Sequence, residues 1–407
     1  MITCVISVPF HYRIILLVCL INILLNTCSY AQQLLLILNN DGTQSSYTSS
    51  FTDEFDGVAL ATDKWQNLYP WGRHLIGNTP EDESLEYYTD GKNFAFNNGI
   101  LSLVARKEKT CGICISWADS AELNRNGLKN FRCFDYSSGM LYAKEATGFG
   151  YYEINFRQSM NSKGMWPAFW LFGNNNEIDI FENKGELKRM THYDLHCNDG
   201  CRKDFGGWKK TKTDFTAKFN TIGFDWTAQS EKWFCNGRNY VSVSQPYSDK
   251  MNIIVTNAVS RDKDKKGFWV GADETTVFPA TLEIDYIRYY QKNYEGRKYN
   301  HKLKDEELFH LIRNSPSLLF RNLAAKRKNH QLLTIHINMT AHSMVVNNYG
   351  SRRNSTISIY DSSGKLFSQK IVSSKDQLTI KGLPDEDLVI IARTGKKILA
   401  ELVGARR

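Results

Sequence analysis

The chain has 407 residues, enough for one large domain and one small one. A hydrophobic content of 42% excludes a disordered chain, and 22 Phe, 20 Tyr and nine Trp against eight Pro favour pleated, aromatic-rich surfaces. The net charge of +8 is uneven, about −4 over 32–291 and about +11 over 292–407, so the basic balance describes the tail and not what the main domain binds. The basic stretches LAAKRKNH and GARR lack interleaved aromatics, which argues against nucleic acid as a partner.

Residues 1–31 read as an export signal. Arg13 precedes an apolar run from Ile14 to Leu25, and Ser29-Tyr30-Ala31 predicts cleavage after Ala31. The run is too short to span a bilayer comfortably. Cys4, Cys19 and Cys28 leave with it; Cys111, Cys114, Cys133, Cys197, Cys201 and Cys235 remain. An even number in an exported chain points to disulfides, with the pairing open. The rival is zinc held by Cys111-x-x-Cys114 and Cys197-x-x-x-Cys201.

From 48 to 291, short runs such as GILSLVARKE, GYYEINFRQSM, NEIDIFEN and ATLEIDYIRYYQ alternate apolar and polar residues between turn formers. That pattern predicts an antiparallel, all-β sandwich or barrel. Residues 292–330 form a charged linker, with a short helix predicted around 305–313. Strands return in 331–407, a second, small all-β module.

The run NEIDIFEN poses the chemical question, because it sets Glu177, Asp179 and Glu182 among Ile178, Ile180 and Phe181. Side chains alternate along a strand, so Glu177 and Asp179 share a face while Glu182 should point the other way. A β-bulge between Asp179 and Glu182 would restore the parity and bring all three acids to one cleft. Ile178 then packs in the core, with Ile180 and Phe181 flanking the bulge. Two carboxyl groups about 5–5.5 Å apart can hydrolyse a glycosidic bond with retention, one attacking and one protonating. Upstream, GMWPAFWLFG supplies flat rings on which sugars stack; Trp166 is expected in the cleft and Trp170 in the core. The bland alternative is an edge strand whose acids face water.

These stretches resemble glycoside hydrolase family 16, through Glu177-Ile178-Asp179-Ile180-Phe181-Glu182 after Trp166-Pro167-Ala168-Phe169-Trp170. FTDEFDG, LEYYTDGKNFAFNNGILSL and FPATLEIDYIRYYQ extend the likeness over about 48–291. The resemblance implies a jelly-roll β-sandwich with a concave substrate cleft. It implies Glu177 as nucleophile, Asp179 as its helper and Glu182 as acid/base. It further implies substrate-binding roles for Trp71 and His192, and a structural calcium at Glu54, Asp285 and the Gly99 backbone, with no cofactor for catalysis. Met140 departs from the family pattern, as do the longer, cysteine-bearing stretches 109–133 and 195–208, expected at the cleft rim.

The tail after 330 resembles the C-terminal sorting domain of the type IX secretion system, through ISIYDSSGKLFSQKI and LTIKGLPDEDLVIIARTGKKILAELV. The expectation is a secreted or cell-surface retaining endo-glycosidase of β-1,3- or mixed-linkage glucan. It would act as a monomer on polysaccharide and meet outer-membrane secretion machinery through its tail. The alternatives are a red-algal galactan hydrolase (agarase, porphyranase or carrageenase), for which Arg73, Lys209 and Lys210 could meet sulfate, a transglycosylase, and a non-catalytic carbohydrate-binding protein.

Overall fold

The alternating runs fold into two antiparallel sheets that face each other across an aromatic and aliphatic core. A computed structural model describes residues 33–38, 44–73, 84–114, 131–160, 162–174, 176–196, 205–244, 250–261, 270–297, 302–314, 333–338, 342–348 and 353–403. The stretch 1–31 that reads as an export signal, Cys197, Cys201 and the whole of 315–330 lie outside the described residues. Among the described residues, no helix is long and apolar enough to cross a membrane.

One sheet has seven strands, in the order Gly207–Lys210, Met190–His196, Asn176–Glu182, Met165–Gly173, Met251–Val259, Met140–Thr147 and Trp65–Gln66. Opposite lies a twelve-stranded sheet centred on Gly150–Gln158, Ala280–Arg297 and Gln44–Asp53. Phe169, Leu171 and Ile178 of the first meet Tyr152, Ile154 and Phe156 of the second, all fully buried. Alternation therefore fixes a second, outward face on the seven-stranded sheet, carrying Trp166, Ala168, Trp170 and Phe172. This is the two-sheet all-β sandwich that the alternating runs predict.

The twelve-stranded sheet runs on past Gln44–Asp53 through Gln33–Leu38 to Leu333–Asn338, Ser343–Asn347 and Gln377–Lys381. Those last strands pack on a four-stranded sheet, in the order Leu366–Val372, Ser355–Tyr360, Leu388–Thr394 and Lys397–Val403. The expected helix spans Asp305–Asn314, with three acids in its first turn and Arg313 in its last, as the helix dipole favours. It is not a free linker element: Leu308, Phe309 and Ile312 pack on Tyr360, Val389 and Ile391 of the four-stranded sheet. Strand Gln33–Leu38 has no counterpart in the sequence reading, which begins its strands at 48.

One disulfide is present among the described residues, Cys111–Cys133, joining the strands Thr110–Ile113 and Phe131–Phe134. This corrects the zinc alternative: Cys111 is spent in a bridge, so Cys111-x-x-Cys114 is not a ligand pair. Burial pushes the thiol of Cys235 up to about 11.

Candidate active site

The strand Asn176–Glu182 pairs with Met165–Gly173 on one side and Met190–His196 on the other. Its register slips on both sides. Phe181 faces Phe169 while Asp179 faces Trp170, and Glu182 faces His192 while Asp179 faces Asp194. Ile180 is the extra residue, so the bulge required by the parity argument lies at Ile180. Ile178, Ile180 and Phe181 are all fully buried in the inter-sheet core. Glu177, Asp179 and Glu182 share the outward face. The Trp233 indole reaches across from the other sheet to the Asp179 carbonyl at 3.4 Å, tying the bulged segment to the opposite layer.

Each acid has its own surroundings. The Nε1 of Trp166 donates to Glu182 Oε1 at 2.9 Å, and His192 Nδ1 lies 3.0 Å from Oε2, so both carboxyl oxygens are engaged. The His192 ring packs on Trp208 at 4.9 Å, and the Lys184 ammonium sits over the same indole at 5.2 Å. Asp179 is 2% exposed. Its carboxyl is pushed well up, first by burial and then by Glu182 and Glu177, while His196 pulls it down. His196 Nε2 lies 3.4 Å from Asp179 Oδ2. Glu177 is half-buried. Burial and Glu86 raise the Tyr69 hydroxyl, with a further contribution from Glu177.

Tyr69 leads from the acids to an aromatic wall. Trp71 stacks on it at 4.7 Å, and Trp71 also meets Phe172 edge-on at 5.6 Å. Trp170 joins this group, 6.1 Å from Tyr69. Trp170 is thus packed in a hydrophobic core as expected, and its alternation with Phe169 puts that core on the outward face of the sheet. Trp166 and His192 stand against Glu182, and Trp71 stands on the aromatic wall next to Tyr69. His196, Asp194 and Trp208 were missed, although HYDLH places His192, Asp194 and His196 at the spacing of two that one strand face requires. Of the basic candidates, Arg73 is ion-paired with Asp90, Lys209, opposite Thr191, points away from the acid face, and Lys210, opposite Met190, shares the face of Trp208 at the end of its strand. The Cys111–Cys133 hairpin adjoins Trp71, since Arg73 N donates to the Cys114 carbonyl at 2.7 Å.

The calcium set lies far from the acids, on the twelve-stranded sheet. Glu54 takes the Arg288 guanidinium through both oxygens, at 2.8 and 2.6 Å. Asp285 accepts from Asn155 at 2.7 Å, and burial raises its carboxyl most, with Glu54 and Asp56 adding to that. Gly99, at φ +75°, lies against Asp56. The donors are hard oxygens of the kind calcium takes, but an ion would have to draw Glu54 away from Arg288.

Residues 81–288 match the model of glycosyl hydrolases family 16. The chain is 27% identical over 270 residues to endo-1,3-1,4-beta-glycanase ExsH of Rhizobium meliloti, covering 61% of this chain and 52% of that one. It is 24% identical to glucan endo-1,3-beta-glucosidase A1 of Niallia circulans, covering 59% of this chain and 37% of that one. The match thus spans about half the length, or less, of these relatives. Among solved structures, the catalytic domain of an endo-1,3-beta-glucanase (laminarinase) from Thermotoga petrophila is 26% identical, with a TM-score of 0.49, over 61% of this chain and 100% of that one.

Proposed function

Because the chain belongs to glycosyl hydrolases family 16, we propose that it is a secreted, retaining endo-glycosidase that cleaves β-1,3- or mixed-linkage glucan. The observation that carries this reading is the bulge at Ile180, which puts three acids on one face beside Trp71 and Trp166. Glu177 attacks the anomeric carbon as Glu182 protonates the leaving oxygen; Glu182 then takes a proton from the water that releases the glycosyl ester. Trp166 and His192 hold Glu182 in place for both halves. Asp179 hydrogen-bonds the nucleophile. The glucan assignment draws support from the two relatives, described as acting on 1,3- and 1,3-1,4-β linkages. A sulfated galactan is the weaker reading, since Arg73 is already paired and Lys209 faces away, which leaves Lys210 of the three basic candidates on the acid-face side.

The test is release of reducing ends from laminarin, lichenan, agarose, porphyran and carrageenan. Glu177→Ala and Glu182→Gln should each lose on the order of 10⁴-fold while staying folded. Survival of activity in either variant, or an inverted first product by NMR, would refute the mechanism.

Two further parts of the reading concern the rest of the chain. Glu54, Asp285 and the Gly99 carbonyl would hold a structural calcium; excess calcium should then raise the melting temperature and a chelator lower it, and an unchanged curve in both would remove the proposal. The module 331–407 serves sorting or anchoring more than sugar binding. After 331 the aromatics are Tyr349, Tyr360 and Phe367, and Tyr360 is buried against the helix. Export that continues unaltered without 331–407 would overturn that role.

A further inference from the structure

The strand Met190–His196 lays His192, Asp194 and His196 along the acid face. His192 belongs to Glu182. The other two stand at the opposite end of the row, and the double displacement itself assigns them nothing. His196 is paired across the ladder with Glu177. One oxygen or nitrogen from each of Glu177, Asp179 and His196 lies within 4.8 Å of the others. His196 Nε2 also lies 3.7 Å from Asp194 Oδ2. Asp194 is confined from behind, because a Cβ at Gly206 would come 2.4 Å from its carboxylate. Its Oδ1 takes the Leu195 amide at 2.8 Å, so Oδ2 is the oxygen turned to His196.

Four carboxyl groups, Glu177, Asp179, Glu182 and Asp194, therefore crowd one face. Like charges this close oppose one another's ionisation, yet a nucleophile must be ionised. Among the described residues, the neighbouring strand Met165–Gly173 turns only Trp166, Ala168, Trp170 and Phe172 to this face. Tyr69, near Glu177, keeps its proton. The lysines of Gly207–Lys210 stand opposite Thr191 and Met190, at the far end of the strand. Lys184, over Trp208, and Lys210 lie at the Glu182 end of the row, so the imidazoles of His192 and His196 are the cations that this strand itself lays beside the acids, and His192 is committed to Glu182.

We propose that His196, backed by Asp194, is a positioning residue that pairs with Asp179 as an imidazolium and offsets the charge of the acid row, so that Glu177 stays ionised into the acidic range. The inference rests on the glycosidase reading. Its electrostatics agree in direction: the hydrogen bond to Asp179 leads in pushing His196 up to about 10, with Glu177 and Asp194 adding to it against partial burial. A raised histidine contributes in full below its unfolded value near 6.5 and loses its contribution as pH rises through about 10, so the charge is present throughout the working range. The side chain is 44% exposed, which keeps the cation hydrated.

The test compares kcat/KM on laminarin across pH for the wild type, His196→Gln and His196→Lys. With the charge removed, the acidic limb should move up by about one pH unit, about tenfold less activity on that limb, with KM little changed. Lysine, which restores a cation, should return the limb toward its place. A His196→Gln limb superimposed on that of an active wild type overturns the inference and leaves the enzyme reading intact. NMR titration of the His196 ring reads the same claim without turnover. Its midpoint should lie far above that of an ordinary histidine and fall in Asp179→Asn, whereas a midpoint near 6.5 overturns the proposal even if no glucan is hydrolysed.

Discussion

Glu182 takes a hydrogen bond on each oxygen, from Trp166 and from His192, and both donors are themselves packed, His192 against Trp208. Hydrogen bonds to a charged group contribute about 1.5–3 kcal/mol, which corresponds to roughly 10- to 100-fold in rate when the geometry of a reacting group depends on them. His192→Phe should therefore lower kcat by that amount with little change in melting temperature. An unchanged kcat would show that Trp166 alone suffices. The acids, Trp71, Trp166 and His192 were legible because each lies in a motif or beside one. Asp194 and His196 were not, because an acid and a histidine two apart on a strand are common on solvated faces, and only the neighbouring strand reveals what they meet. Trp170 is buried as expected, at 6% exposure, but the rings that bury it belong to the outward face, which its aromatic type alone does not reveal.

At the scale of the element, the bulge was legible because parity demanded it. Its exact residue was open, and the register places it at Ile180. The spacing makes opposite length changes unequal. Deleting Ile180 leaves Glu at position four after Glu177, still on the same face of a now regular strand, and keeps Phe181 opposite Phe169. The loss is one fully buried isoleucine, about 2–5 kcal/mol. Inserting an alanine after Ile180 instead puts this Glu six residues after Glu177: with the bulge kept it faces the core, where an ionised carboxyl is costly, and with the strand straightened it moves along the outward face to the register of Trp166, away from the linkage Glu177 attacks. The deletion should remain folded with measurable hydrolysis, and the insertion should be inactive and less stable. Equal activity in both variants, with equal melting curves, would contradict the parity argument. The helix Asp305–Asn314 was legible in the same way, from its acidic first turn and the spacing of Leu308, Phe309 and Ile312.

At the scale of the whole molecule, one short strand joins the two β regions. Gln33–Leu38 pairs with Gln44–Asp53 on one edge and with Leu333–Asn338 on the other. Its side chains alternate between two cores. Leu36 enters the C-terminal core with Ile335 and Ile357, while Leu35 and Ile37 pack with Tyr47, Tyr151, Phe234 and Tyr290. A strand covered on both faces reads as an unbroken apolar run, here QLLLIL, and shows no alternation to mark it. Following the apolar run 14–25, with a partner about 300 residues away in the chain, it gave no local cue; this is why the second module looked separate. Leu35, Leu36 and Ile37 are at most 2% exposed, and their burial contributes on the order of 5 kcal/mol. Removing 32–38 should therefore lower the melting temperature and strip hydrogen-exchange protection from Leu333–Asn338, which would keep only its pairing to Ser343–Asn347. Hydrolysis should change little, because the acid strand lies in the other sheet. Full protection of Leu333–Asn338 in the truncated chain would mean that the C-terminal module closes without the strand, and that the two regions are joined by the chain alone.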